Sequence, residues 1–313
     1  MKAVIFITLF VAVQAYQFPW LKSSIIPTLV ASNFPNHTLI ELPDGNFVPS
    51  PAFGTGSIWH VPENRVHFQE AIENALRVGY RHIDTSAIYQ TEELVGKAIR
   101  KLGIKREEIY ITTKYDRLGG ESVEVEFQKS LDNLGVDYID LYLIHFPQVA
   151  PDAAKVWESF QKLVSENKIR SIGISNYDTP ELINTFLDDI APVVRIPPVI
   201  NQIKYHLYNQ KHLKDALAVL LNNDIQVAGY STLTPLTRQA GGPLDEVLDK
   251  ITKETSYTNA QVILDWVKHN SVLAVTNATH QEEQLAPFAS TWKGLGPRAY
   301  RELEEAGRRG TTN

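Results

Sequence analysis

Residues 80–114 read YRHIDTSAIYQTEELVGKAIRKLGIKREEIYITTK. A short apolar pulse ends on Asp84, an amphipathic stretch (TEELVGKAIRKLG) follows, and a second apolar pulse ends on Lys114. The apolar residues of the middle stretch recur at helical spacing, so the segment reads strand–helix–strand. The same rhythm extends in both directions. Apolar segments occur at AFGTG (52–56), YRHID (80–84), IYITTK (109–114), IDLYLIH (139–145), IRSIGIS (169–175), PVINQ (198–202), IQVAGYS (225–231) and VLAVT (272–276). Between them lie stretches such as RVHFQEAIENALRVG and VEVEFQKSLDNLG, again with helical periodicity. Eight strands alternating with helices predict an α/β fold, a (β/α)8 TIM barrel, rather than a doubly wound sheet. No Gly-x-Gly-x-x-Gly opens a helix after a strand, so the Rossmann fingerprint is absent. TLIEL and NFV flank Pro43-Asp44-Gly45, which predicts an N-terminal β-hairpin capping the barrel bottom.

Composition narrows the function classes. The 313 residues are 43% hydrophobic and 21% charged, as in an ordinary globular protein. Acids (36) and bases (30) are mixed along the chain, with no basic block or aromatic-basic interleaving, so nucleic-acid binding is not expected. The absence of cysteine excludes disulfides, thiolate nucleophiles and thiolate metal sites, and no metal is expected. Residues 1–15 (MKAVIFITLFVAVQA) have the build of a secretory signal peptide: an early lysine, an apolar run and a small-residue end. Residues 16–37 read as a linker or arm, and 38–313 as a single barrel domain. No later run is apolar enough for a membrane span. Asn36-His37-Thr38 and Asn277-Ala278-Thr279 are glycosylation sequons.

In barrels of this type the reactive side chains stand at the C-terminal ends of the strands. Those ends carry Asp84, Lys114 and His145 on three consecutive strands, with Gln202 and Tyr230-Ser231 further round. Each has a structural explanation. Asp84, Thr85 or Ser86 could cap the following helix; Lys114 could be solvated, His145 a turn residue and Tyr89 a core aromatic. Their joint placement at one mouth favours a reaction centre.

The motifs GYRHIDTSAIYQTEELVGKAI, ITTK, LYLIHFP, KIRSIGISNY and NQIKYH together resemble the aldo-keto reductase superfamily, from about Thr38 to the end of the chain. GYSTLTPLTRQAGGPLDEVL and LAVTNATHQEE are most similar to a fungal branch of α-keto amide and conjugated polyketone reductases. The resemblance implies hydride transfer from NAD(P)H to a carbonyl substrate: an aldehyde, an α-keto ester or amide, or a diketone. It makes Tyr89 the general acid, Lys114 the ammonium that lowers its pKa, Asp84 the partner that keeps Lys114 charged, and His145 the group that orients or polarises the carbonyl. Ser175, Asn176 and Gln202 match residues that bind the nicotinamide carboxamide, and Tyr230 matches the aromatic stacked on the ring. Gly54, Thr55, Ser231 and Leu233 match positions along the cofactor, with Asp84 again among them. At the phosphate end the resemblance leaves Thr276, Asn277, Thr279 and His280 as donors. Many members carry Lys-Ser and an arginine there, where this chain has Val275-Thr276 and HQEEQ. NADPH is favoured, with NADH or dual use as the alternative. Trp59, Tyr115 and Phe146 are the candidate substrate pocket. The other expectation the resemblance permits is a nucleotide-binding barrel with a sensor role and little turnover. The family default is cytoplasmic, against the export implied by residues 1–15, and the expected state is a monomer or weak dimer.

Overall fold

The structure is a computed structural model, and it describes residues 33–34, 37–56, 65–276 and 294–310. The signal-like segment, Asn36, Trp59, Asn277, Thr279 and His280 lie outside the described residues. β1 (Thr38–Glu41) and β2 (Phe47–Ser50) pair antiparallel around the Pro43-Asp44-Gly45 turn, as the sequence predicts. Eight parallel strands then close a barrel: β3 (Ala52–Gly54), β4 (His82–Asp84), β5 (Tyr110–Tyr115), β6 (Ile139–Ile144), β7 (Ile169–Ser175), β8 (Ile200–Lys204), β9 (Gln226–Tyr230) and β10 (Leu273–Thr276). β10 pairs with β3 and completes the ring. The PVINQ strand begins two residues later than predicted, at Ile200. Pro197 and Pro198 have no amide hydrogen to give a ladder.

Helices form the outer layer: α1 (Arg65–Val78), α2 (Glu92–Lys101), α3 (Val123–Leu134), α4 (Ala153–Ser165), α5 (Pro180–Ile190), α6 (Gln210–Asn222), α7 (Thr234–Thr237), α8 (Leu244–Thr255), α9 (Asn259–His269) and α10 (Pro297–Arg309). Their starts are fixed locally. Ser122, Asp152, Thr179 and Thr258 each accept an amide hydrogen from the first turn of their helix, which satisfies donors that have no intrahelical partner. α2 and α3 meet at Gly96, where a Cβ would stand 2.3 Å from the Leu134 carbonyl oxygen.

Strand alternation sorts the side chains into two cores. Ile111, Tyr115, Tyr142 and Ile144 pack outward against helix residues such as Phe127 and Phe160. Tyr110, Leu141, Leu143, Ile200, Ala228, Leu273 and Val275 face the lumen and pack with Leu42 and Val48 of the hairpin. Successive residues of a strand point to opposite faces, so this parity also decides which polar groups reach the lumen. The hairpin closes the lower end. Asn46 donates to the Arg170 carbonyl (3.2 Å) and the Ser171 hydroxyl (3.1 Å) at the start of β7, and Ser171 donates to Asp44 (2.7 Å). The lumen is therefore filled below, and a cavity is left at the upper mouth.

Candidate active site

Asp84 ends β4 and Lys114 lies one residue before the end of β5, both at lumen-facing positions. Lys114 Nζ donates to Asp84 Oδ1 at 2.7 Å and to the Thr85 carbonyl at 2.9 Å, and its side chain is wholly buried. Gln202 on β8 donates to the second Asp84 oxygen at 2.7 Å, so both carboxylate oxygens are held. Tyr89 sits on a short 3-10 turn (Ala87–Tyr89) above this pair, its ring centroid 5.1 Å from Lys114 Nζ. His145 follows β6, and its Nε2 lies 3.1 Å from the Tyr89 hydroxyl. Asp84, Lys114 and His145 from three consecutive strand ends thus meet Tyr89 at one point. The helix-cap reading of this stretch is corrected. Ser86 makes no side-chain cap, because its hydroxyl donates to Asp116; Asp84 is held by Lys114 and the Thr85 hydroxyl bonds to Thr91 at 3.0 Å.

The electrostatics modify the expected division of labour. Burial pushes the Tyr89 phenol up to about 12; Lys114 pulls it down, but Asp84 and Asp116 add to the rise. Lys114 thus acidifies Tyr89 as expected, but burial outweighs it. Tyr89 holds its proton across the neutral range and is a loaded donor. Burial works against the Lys114 ammonium, yet Asp84 and Tyr89 outweigh it and hold its pKa above the ordinary value. Removing charge from water is costly unless it is paired, and this pairing supplies the compensation. Burial lowers His145 below the usual imidazole range despite the opposing pull of Asp116. The ring is neutral at neutral pH.

These groups border a cavity of about 310 Å³ lined by Gly54, Gly56, Asp84, Ile88, Tyr89, His145, Phe146, Ser175, Asn176, Gln202, Tyr230, Ser231, Arg238, Val275 and Thr276. Residues 52–293 match the model of the aldo/keto reductase family. The chain belongs to that family. It is 37% identical over 235 residues to a glyoxal reductase of Bacillus subtilis, an alignment covering 74% of this chain and 79% of the relative. It is 36% identical over 234 residues to the methylglyoxal reductase DkgA of Escherichia coli, covering 74% and 79%. The crystal structure of a Bombyx mori aldo-keto reductase in complex with NADP superposes with a TM-score of 0.73 at 28% identity, covering 88% of this chain and 95% of that one. As an aldo/keto reductase, the chain catalyses NAD(P)H-dependent carbonyl reduction.

Does this aldo/keto reductase have walls suited to a nicotinamide? The donor set fits. Ser175 donates to the Gln202 carbonyl (2.7 Å), Asn176 donates to the His145 carbonyl (2.8 Å), and Tyr230 donates to Asn176 Oδ1 (2.8 Å). An amide-recognising row is thereby locked beside the half-buried Tyr230 ring. Gly56 leaves room next to the catalytic phenol, where a Cβ would fall 2.7 Å from Tyr89 Cζ. Ser175, Asn176, Gln202 and Tyr230 would hold the nicotinamide, whose reduced form supplies the hydride. Gly54, Ser231 and Thr276 line the same cavity.

Three sequence expectations for this aldo/keto reductase are corrected. Tyr115 is no substrate contact: next to inward Lys114 it must face outward, where it packs on Phe160 and donates to the Glu121 carbonyl. Thr55 is buried below the surface and its hydroxyl bonds to Thr91 (2.8 Å). Leu233 packs against the outer core rather than lining the cavity. Phe146 does line it, stacked on His145 with centroids 4.1 Å apart. Sequence reasoning missed Arg238, an exposed cation at the end of α7 that borders the cavity beside Ser231 and Thr276. It also missed Ile88, Ser86 and Asp116. The available signal for Asp116 was an acid two residues beyond Lys114 at a strand end.

Proposed function

We propose that this aldo/keto reductase reduces small aldehydes and 1,2-dicarbonyl compounds, including α-keto esters, α-keto amides and diketones, with NADPH as the favoured reductant. The observation that carries this reading is a protonated Tyr89 phenol facing a small cavity, bonded to His145 and backed by the Lys114–Asp84 pair. A carbonyl oxygen within reach of Tyr89 receives the phenolic proton as its carbon accepts hydride. Positioned proton transfer of this type contributes about 10²–10⁴-fold in rate. The reductase names of the Bacillus subtilis and Escherichia coli relatives support small dicarbonyls. The GYSTLTPLTRQAGGPLDEVL segment supports the larger keto esters and amides of the fungal branch.

Arg238 supports NADPH, because a guanidinium suits a phosphate bidentately, and it borders the cofactor wall without depending on residues 277–280. Loss of reduced nicotinamide absorbance, followed with NADPH or NADH against glyoxal, methylglyoxal, α-keto esters and diketones, tests the proposal. Catalytic efficiencies strongly favouring NADH would overturn the cofactor choice, and nucleotide binding without turnover would overturn the substrate reading. The export reading of residues 1–15 stands as part of this proposal; N-terminal sequencing of protein made by a eukaryotic secretory host tests it. A monomer or weak dimer is proposed for the assembly, to be checked by sedimentation.

A further inference from the structure

Asp116 lies just past β5, 6% exposed, with both carboxylate oxygens engaged. One pairs with His145 Nδ1. The other accepts from the Ser86 hydroxyl and from the Ile88 amide, the latter at 2.9 Å. Burial would raise this carboxyl, but the bonds from His145, Ser86 and Ile88 outweigh it and hold it below the usual carboxylate range. A carboxylate can only accept. The hydrogen between Asp116 and His145 therefore resides on Nδ1. Because the imidazole is neutral, Nε2 then carries a lone pair, and the Tyr89 hydroxyl 3.1 Å away donates to it.

We propose that Asp116 is a positioning residue that fixes His145 in the Nδ1-protonated form, so that Nε2 exchanges a proton with Tyr89 during carbonyl reduction. The arrangement explains how His145 serves a reaction that also needs the Tyr89 proton. In the free site Nε2 orients the phenol by accepting its hydrogen. A neutral ring in this form cannot also donate to a carbonyl oxygen. Once Nε2 takes a proton from solvent, the imidazolium is paired with Asp116 and donates to the Tyr89 oxygen, which frees the phenolic hydrogen for the carbonyl.

The step balances simply. Hydride forms the new C–H bond, the carbonyl π pair moves to oxygen, and the Tyr89 proton forms the O–H bond. The phenolate that remains takes the Nε2 proton, which returns His145 to its neutral form. The other charges facing this pair are Asp84 and Lys114 from the adjacent strand ends, and Glu126 of α3, which accepts from the Asp116 amide at 2.5 Å and the Leu118 amide at 2.7 Å. Tyr230 faces the Tyr89 side. None of these contacts Nδ1; that atom meets Asp116 and the Ser86 hydroxyl (3.2 Å).

Asp116→Asn tests the inference because the Ile88 amide and the Ser86 hydroxyl still require an acceptor. The Asn carbonyl oxygen must turn to them, leaving its NH2 against Nδ1. The ring proton is then driven to Nε2. Ring 15N–1H correlation spectra of the full chain, with the His145 signal assigned by its loss in His145→Gln, read this directly and need no cofactor. The expected result is an Nδ1-protonated ring in the native chain and an Nε2-protonated ring in Asp116→Asn. Kinetically, Asp116→Asn should lower kcat for carbonyl reduction by about 10²-fold, with the NADPH Kd, read by fluorescence, unchanged. Loss of the Asp116 charge destabilises the imidazolium, so the fall of kcat with rising pH should begin at lower pH. A purely structural role for Asp116 would leave that profile in place.

The kinetic arm rests on the carbonyl-reduction reading, whereas the spectroscopic arm stands without it. A native ring protonated on Nε2 overturns the proposal, as does an Asp116→Asn chain with an unchanged tautomer and pH profile. If that variant does not fold, the native spectrum decides alone.

Discussion

The barrel holds a buried carboxylate with cationic partners at each end, and the two are used differently. At the floor, Asp140 accepts from Arg106 (2.5 Å), Arg170 (2.9 Å) and the Ile111 amide (2.9 Å), and both guanidiniums also lie over the Tyr138 ring. At the mouth, Asp84 holds Lys114, and Lys114 faces the Tyr89 ring beside an open cavity. The difference lies in the cations. The Arg170 side chain is 52% exposed and Arg106 18%, so the floor pair keeps its charge in touch with water, whereas Lys114 is 0% exposed. A flexible ammonium buried whole is held by its partners and works on its neighbours. Planar guanidiniums at a rim clamp strand starts together. A similar pairing thus closes one end and equips the other for chemistry.

The largest effect expected from breaking this contrast is at the mouth. Tyr89→Phe removes the proton donor and leaves the Lys114–Asp84 pair intact, so carbonyl reduction should fall by about 10²–10⁴-fold. Nucleotide binding, followed by fluorescence, should hold. Retained activity would remove Tyr89 from its role.

The floor should fail by acid instead. His82 is buried beneath the mouth with Nδ1 donating to the Pro49 carbonyl (2.7 Å), so its Nε2 accepts from the Thr112 hydroxyl (2.8 Å). Burial depresses its pKa to about 4, against opposing pulls from the Pro49 bond and Asp84. A lowered folded-state value means that the unfolded chain binds the proton more tightly. The associated stability is present above pH ~6.5 and is lost as pH falls toward ~4, amounting to roughly 3 kcal/mol. Urea midpoints measured across this range check it; a flat profile would contradict it.

A smaller loss is expected for Asp140→Asn. The arginines reach solvent once the charge is gone, so stability should drop by about 1–3 kcal/mol while kcat/KM stays at the native value. Equal damage to catalysis would show that the two ends are coupled. The smallest effect belongs to Tyr115→Phe, which loses one hydrogen bond to Glu121 worth about 1 kcal/mol. Its melting temperature should fall slightly with substrate KM unchanged, and an altered KM would return Tyr115 to the pocket.

The regular part of the molecule was legible because each element repeats a local signal. Apolar pulses, helical spacing and a Pro-Asp-Gly turn gave the hairpin and eight strands with their order, and errors stayed at the ends, as at Pro197-Pro198. The positions of Asp84, Lys114 and His145 followed from the rule that polar strand ends share one mouth. Tyr115 failed because strand parity is visible only once the inward partner is known, although Lys114 beside it held the clue.

By itself, then, the sequence determined the barrel, its hairpin floor, the family and the residues of the reaction centre, since periodicity and strand-end chemistry are local properties of the chain. Only the tertiary structure decided what those residues do to one another. Burial at the mouth raises the Tyr89 pKa against the pull of Lys114. Asp116, with no motif of its own, meets His145 across two strand ends and sets which ring nitrogen carries the hydrogen. Desolvation and tautomer depend on every neighbour in three dimensions, and spacing along the chain does not encode them.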